Sequence, residues 1–315
     1  AGNETSYYAG FMFQQIEPFA IFNKAYFNAG MNYTRTHLPA EFDNFNVNWN
    51  FNMGFKNFWY LWLGSGVNPV VNVDHFEPRT AGYVFRKPGS YRQNFWLSTD
   101  SRKAFRIGMG GGVWVRPEWE SMDNWLEINP RYRFNDKLTL EYGIEFQRRR
   151  NEYGFVTKRY HENGNLDEIF IGVRDGRYAT HSISGKYTFI PLMGINLDVR
   201  HYWSRVAYDR FWSLSEDGYL FETSYTPKTT EGAARHDANF NFFSIDLVYS
   251  WQFAPGSFMS VVWKNNISTF DRQPDVNYRA NWQTMLGSEN MLNSFSLRKI
   301  YFLDYQDVKS FLSQS

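Results

Sequence analysis

Residues 42–54 read FDNFNVNWNFNMG, and this run limits the possible folds more than any other stretch of the chain. Phe45, Val47, Trp49, Phe51 and Met53 alternate one by one with Asn44, Asn46, Asn48, Asn50 and Asn52. Successive side chains on a β-strand point to opposite faces, so a period of two predicts a strand with one apolar face and one polar, uncharged face. The pattern recurs along the chain. Leu138, Leu140, Tyr142, Ile144 and Phe146 alternate with Thr139, Glu141, Gly143, Glu145 and Gln147. Ile195, Leu197 and Val199 oppose Asn196, Asp198 and Arg200, while Ile245, Leu247, Tyr249 and Trp251 oppose Asp246 and Ser250. No long stretch has helical periodicity, although the last residues, DYQDVKSFLSQS, are compatible with a short helix.

Composition narrows the setting of these strands. Aromatic residues make up 20% of the 315-residue chain, yet mean hydropathy is −0.54. A soluble core draws more on Leu, Ile, Val and Ala; this profile suits a sheet with one greasy and one wet face. No apolar run approaches the ~18 residues of a membrane helix, so a membrane-embedded form must cross as strands. The net charge of +1 argues against a nucleic-acid partner. The absence of cysteine excludes disulfides and thiolate-held metals.

Thirteen strands are expected, at 6–16, 20–36, 40–54, 57–67, 91–99, 103–117, 121–134, 137–151, 176–190, 194–206, 236–253, 257–269 and 293–305. Tight turns at 17–20, 54–57, 99–102, 134–137, 190–194 and 253–257 alternate with longer connections at 67–90, 151–176, 206–236 and 269–292. Short turns at one end and mostly long loops at the other mark an antiparallel transmembrane β-barrel, with periplasmic turns and extracellular loops. Several segments also keep phase for about ten residues, the length a tilted membrane strand needs, whereas a soluble sandwich uses strands of about 5–6. Aromatic pairs near strand ends (Tyr7 and Tyr8, Phe58 to Tyr60, Trp114 and Trp119, Tyr202 and Trp203, Phe211 and Trp212) are expected as interfacial girdles. Residues 1–315 form a single barrel domain on this reading. Single-chain bacterial barrels have an even strand number. The odd count, and a start lacking the basic and apolar regions of a signal peptide, lead to the expectation that the chain is the C-terminal part of a larger barrel.

Three stretches carry a family resemblance: RYRFNDKLTLEYGIEFQRRRNEYGFV (131–156), NFFSIDLVYSWQFAPGSFMSVVWKN (241–265) and NSFSLRKIYFLDYQDVK (293–309). VDHFEPR (73–79) extends it loosely toward the start. They resemble Bacteroidota outer-membrane proteins in which a family-9-type carbohydrate-binding domain precedes a C-terminal domain of unknown function. The resemblance implies a barrel in the outer membrane of a Gram-negative bacterium. It carries over no catalytic residue, and the carbohydrate-binding domain has no counterpart in this sequence.

The polar face gives the lumen candidates Asn46, Asn48, Asn50, Glu141, Glu145, Asp198 and Asp246. The apolar partners, among them Phe45, Val47, Trp49, Phe51, Met53, Leu138, Leu140, Ile144, Ile195, Leu197, Ile245 and Leu247, are expected to face lipid. Asp74, His75, Glu77 and Arg79 gather in the 67–90 connection, where they either plug the mouth or bind a ligand; a salt-bridged loop is the plainer account. Val70, Val71, Val73, Phe76, Tyr83 and Phe85 predict that this connection packs rather than remains disordered. Arg148, Arg149 and Arg150 are placed at a strand end. The six histidines show no i, i+4 metal pair, and neither a nucleophile elbow nor a phosphate loop is present. GMGGG (108–112) is expected to mark a bend or a close approach within a strand. No metal, cofactor or catalytic set is expected. The leading expectation is a non-enzymatic conduit or scaffold in contact with outer-membrane lipid and with other outer-membrane proteins or lipoproteins. The alternatives are an outer-membrane hydrolase with a site at the extracellular rim, and a soluble all-β binding protein.

Overall fold

The computed structural model describes residues 3–228, 234–274 and 277–303. The chain is all-β and antiparallel, and thirteen strands follow one another in spatial order as they do in sequence. They are β1 (Glu4–Gln15), β2 (Phe22–Thr36), β3 (Phe42–Phe55), β4 (Tyr60–Asn68), β7 (Ser90–Ser98), β8 (Phe105–Arg116), β9 (Ser121–Arg133), β10 (Leu138–Tyr160), β11 (Leu166–Ile190), β12 (Met193–Leu214), β14 (Ala238–Ala254), β15 (Ser257–Asp271) and β16 (Met291–Ile300). The short β13 (Leu220–Glu222) pairs with the far end of β12, and β5 (Asn72–Asp74) pairs with β6 (Phe85–Lys87) as a separate hairpin. Among the described residues β1 pairs only with β2 and β16 only with β15, so the sheet is not closed into a barrel. Among the described residues no helix is long and apolar enough to cross a membrane.

Alternation of aromatic with small polar residues suits a pleated surface, and the turns have local causes. Between β9 and β10 the Asn135 side chain accepts hydrogen bonds from the amides of Lys137 and Leu138, each at 2.9 Å. Between β14 and β15 Gly256 adopts a φ of 70°, which a side chain would strain.

The connections differ from expectation in three places. Residues 151–176 form no long loop: β10 and β11 run on to Tyr160 and from Leu166, with 23 and 25 residues, and β12 has 22. Past Arg150 the edge of β10 is no longer covered by β9. The remaining ten residues project about 30 Å as a three-stranded arm at about 3.3 Å per residue. The alternation was interrupted by β-bulges at Arg149/Glu152 and Phe155/Thr157, which shift its phase. Arg148 to Arg150 therefore lie within a strand, not at its end. The 269–292 connection contains a helix, α1 (Tyr278–Leu286). Its Asn281 hydrogen-bonds Asn239 and Asn241, and its Trp282 ring lies 4.3 Å from that of His201. The expected helix at 304–315 lies outside the described residues.

The sheet is strongly curled. Seven inter-strand steps separate β3 from β12, about 34 Å if the sheet were flat. Yet the Asn72 side chain accepts from the Phe45 amide of β3, and the Arg86 side chain donates to the carbonyl of Asp217, just beyond β12. Asn72 and Arg86 are near neighbours across the β5–β6 hairpin. With a cross-strand separation of about 5 Å plus side-chain reach, the two anchor points are roughly 20 Å apart at most. The hairpin thus spans the mouth of the curl. Its Lys87 lines one cavity with Asn32 and Asn46 and another with Arg149 and Arg174, so the polar face is the concave one.

Several aromatics expected in girdles turn out to face inward or lie under other elements. Trp114 and Tyr202 line concave-face cavities, and the Tyr8 ring lies over Gly10 and Gly30. Trp119 stacks on Tyr153 and Phe85, and Trp203 lies against Tyr278 of α1. Nearness to a strand end does not set which face a side chain takes; register does. Trp96 and Trp125 also turn inward, over Gly108, Gly110 and Gly112 of β8, while Gly111 on the other face makes room for Phe95. A Cβ on Gly110 would stand 2.5 Å from Trp96 and 3.2 Å from Trp125.

Candidate functional site

The mouth of the curl gathers the polar side chains. The β5–β6 hairpin is fixed there by a small apolar core, in which Phe85, Ile169, Ile171 and Leu214 are buried together. Two backbone bonds add to it, from the amides of Val84 and Arg86 to the carbonyls of Glu216 and Gly218. The 67–90 connection is therefore a packed cap rather than a free loop.

The four loop candidates occupy distinct positions. Asp74 turns back on its own loop: one carboxylate oxygen accepts from the amides of Phe76 and Glu77 at 2.8 and 2.9 Å, the other from Lys87 Nζ at 2.7 Å. Burial pushes the Asp74 carboxyl up, but the Lys87 ammonium and the two amides outweigh it and hold the group below its usual range. Glu77 reaches the arm, accepting from the Phe155 amide at 2.8 Å, with Lys87 Nζ 3.4 Å from its other oxygen. Arg79 takes a φ of 52°, accepts from Lys158 through its carbonyl, and holds its guanidinium 4.6 Å from the centre of the Phe155 ring. His75 donates from Nε2 to the Phe42 carbonyl at 3.1 Å, and its Nδ1 is 3.8 Å from a Glu41 oxygen. Nε2 of His75 is therefore held by β3, while Nδ1 points toward Glu41 in the β2–β3 turn without a hydrogen bond to it. Glu77 and Arg79 both reach Phe155 of the arm through their charged groups and His75 reaches β3, whereas the Asp74 carboxylate stays within its own hairpin.

Deeper in, β9, β10 and β11 hold an ion network that sequence reasoning did not assemble. Glu152 pairs with Arg149 at 2.8 Å and with Arg174 at 2.7 Å, and Arg174 donates on to the Tyr208 hydroxyl at 2.9 Å. Asp123 lies 3.4 Å from Arg149 and accepts from Gln147. Arg149 could have been assigned to the polar face from its phase with Glu145 and Gln147; Glu152 lay beyond the bulge, where phase no longer informs. This network bounds a cavity of about 250 Å³, and a second, of about 380 Å³, lies toward β2 and β3.

The wall residues share this polar side. Asn46 donates to Asn68, Asn48 to Asn46, and the Asn50 side chain lies over Gly64. Lower down, Arg131, Glu141, Ser184, Asp198, Asp246 and Lys264 face one another in register across six strands. Asp198 and Asp246 are directly opposed, a repulsive pairing, and each has its own relief: Ser184 donates to Asp198 at 2.6 Å and Lys264 reaches Asp246 at 3.0 Å. Glu145 lines a smaller cavity with Arg149, Arg200 and Tyr178. Among the described residues no three His, Asp or Glu side chains gather where a metal ion could be held.

A family model for a domain of unknown function, DUF5916, matches residues 1–312. The chain belongs to the DUF5916 family. No curated protein matches it. The DUF5916 domain thus presents a curled sheet with amides and paired ions on its concave side and an ordered cap at its mouth. This geometry can position, select or admit a polar solute. His75, the one imidazole among the four loop candidates, is anchored to β3 through Nε2.

Proposed function

We propose that this DUF5916 domain forms the wall of an outer-membrane β-barrel that serves as a non-enzymatic conduit or scaffold, with the β5–β6 hairpin as its plug. The observation that carries the reading is the segregation of the two faces. The convex face keeps large apolar side chains in the open: Phe11 is 62% exposed, Phe146 48% and Phe295 74%. Monomeric soluble proteins rarely leave a contiguous apolar surface of this extent. On β10 the apolar face runs from Leu138 to Phe146, and nine residues at a tilt of about 40° climb about 22 Å, close to the ~25 Å apolar band of such barrels. Above it the same face turns polar, with His181 opposite His201, and α1 lies over it. The resemblance to Bacteroidota outer-membrane proteins with a family-9-type carbohydrate-binding domain supports the same setting. Unpaired backbone in hydrocarbon costs several kcal/mol per group, so the reading requires β1 and β16 to pair with each other or with further strands. Lipid and other outer-membrane proteins or lipoproteins are the partners it implies.

The test is reconstitution. The protein is expected to float with liposomes and to give discrete conductance steps, which rise when Glu77→Ala loosens the hairpin from the arm. Recovery in the aqueous phase of a detergent phase separation, with no liposome association, would overturn it.

A further inference from the structure

Arg92, Trp114 and Arg116 meet on the concave face where β7 and β8 run side by side. Arg92 and Trp114 are cross-strand partners, and Arg116 stands two residues further along the same face. Arg92 lies flat along Gly66, where a Cβ would be 2.6 Å from its Nε, so the glycine fixes the direction of the side chain. The Arg116 guanidinium lies 4.0 Å from the centre of the Trp114 ring. Other cations of the mouth are satisfied: Lys87 by Asp74, Arg149 and Arg174 by Glu152. Arg92 and Arg116 have neither an ion pair nor a hydrogen bond among the described residues, and both line the cavity of about 380 Å³. Charge in this cavity is three cations, Lys87, Arg92 and Arg116, against two carboxylates, Asp43 and Asp74. Lys87 and Asp74 cancel, which leaves two guanidinium groups against Asp43 within this cavity; Arg116 also feels Glu152 and Asp123 of the adjoining one, both already paired with Arg149.

Guanidinium forks suit planar or tetrahedral oxyanions, and such bonds are strongest where water is partly excluded. The volume falls within the range of about 300–1,000 Å³ typical of small-ligand sites. Trp114 keeps 40% of its surface exposed and offers a flat apolar plate. Asn32, Asn44 and Asn46 line the same cavity, and amides both donate to and accept from hydroxyl groups. We propose that this cavity binds an acidic oligosaccharide. A carboxylate or sulfate on the sugar bridges Arg92 and Arg116, a ring stacks against Trp114, and hydroxyls bond to the asparagine amides. The site is built from described strands and the hairpin alone, so binding does not depend on whether the convex face meets lipid.

The experiment is titration calorimetry on the full chain in detergent, with trigalacturonate, maltotriose and sodium sulfate as probes. Trigalacturonate is expected to bind saturably, at least about tenfold tighter than maltotriose or sulfate, and to weaken as salt screens the guanidinium groups. Arg92→Ala and Arg116→Ala should each reduce its affinity by about tenfold or more. Arg116→Lys, which keeps the charge and removes the fork, should fall between, with strand content by circular dichroism unchanged. Four results would overturn the proposal: no saturable binding of trigalacturonate, equal binding of the two sugars, sulfate alone matching trigalacturonate, or variants that bind like wild type.

Discussion

Phe85→Ala isolates the attachment of the cap. Phe85 is fully buried between Ile169, Ile171 and Leu214, and its ring stacks 5.5 Å from that of Trp119. Truncating a buried phenylalanine costs about 3–5 kcal/mol, the sum of lost transfer free energy and the cavity left behind. Here the loss falls on the docked hairpin rather than on the main sheet, whose ladders do not involve Phe85. The backbone bonds of Val84 and Arg86 are then the main remaining hold on the hairpin, while the ladders of the sheet are untouched, so the hairpin opens before the sheet does. At about 1.4 kcal/mol per factor of ten, the open population should rise by roughly two to three and a half orders of magnitude. Limited trypsin digestion reads this directly, because Arg79, Arg86 and Lys87 all lie on the hairpin. Phe76→Ala is the matched control: that ring is 53% exposed, and surface substitutions stay within about ±0.5 kcal/mol. Cleavage at these sites should accelerate about a hundredfold or more in Phe85→Ala and little in Phe76→Ala. Equal rates in the two variants would refute the packed cap.

Glu152→Ala strands Arg149 and Arg174 without their shared carboxylate; a loss of roughly 1.5–3 kcal/mol is expected, measurable as a lowered thermal midpoint in detergent. Gly110→Val drives a side chain into Trp96 and should cost about 1–3 kcal/mol, with Trp96→Ala in the same chain recovering part of the loss in the same melt. Asp74 has a folded pKa below its ordinary value of 3.8, so its contribution to the internal order of the hairpin, on which docking rests, is fully present above that value and fades as pH falls through the lower folded pKa. Tryptophan emission should report hairpin release in that acid window; Asp74→Asn should abolish the step, and an unchanged step would reject the role of Asp74.

Much of the wall could be read from the sequence because its cause is local. From Asn44 to Met53 every residue of β3 obeys the two-face rule, and thirteen strands with six tight turns followed from that rule and from Pro, Gly, Asn and Asp at the turns. The arm was not legible, because bulges after Arg149 and Phe155 break the phase while the ladder continues. Helix α1 was missed for a different reason. It is nine residues long, and its place depends on Asn281 meeting Asn239 and Asn241 about forty positions earlier. The site was legible only as a neighbourhood. Asp74 and Glu77 stood out as a charged cluster, but Lys87, which joins them, lies across a hairpin turn. Arg92 and Arg116 become a pair only through the register of β7 with β8 and the curl that brings the hairpin over them.

The central claim is that the apolar face of the sheet meets lipid and the asparagine face meets water. The chain has no cysteine, so single cysteines can be placed one at a time at positions 44–53 without altering any native thiol. In proteoliposomes each is labelled with an environment-sensitive fluorophore and exposed to a lipid-borne quencher, and separately to a membrane-impermeant thiol reagent. The account predicts quenching by lipid at 45, 47, 49, 51 and 53 and reaction with the aqueous reagent at 44, 46, 48, 50 and 52. A reversed parity, or the same response at all ten positions, would contradict it.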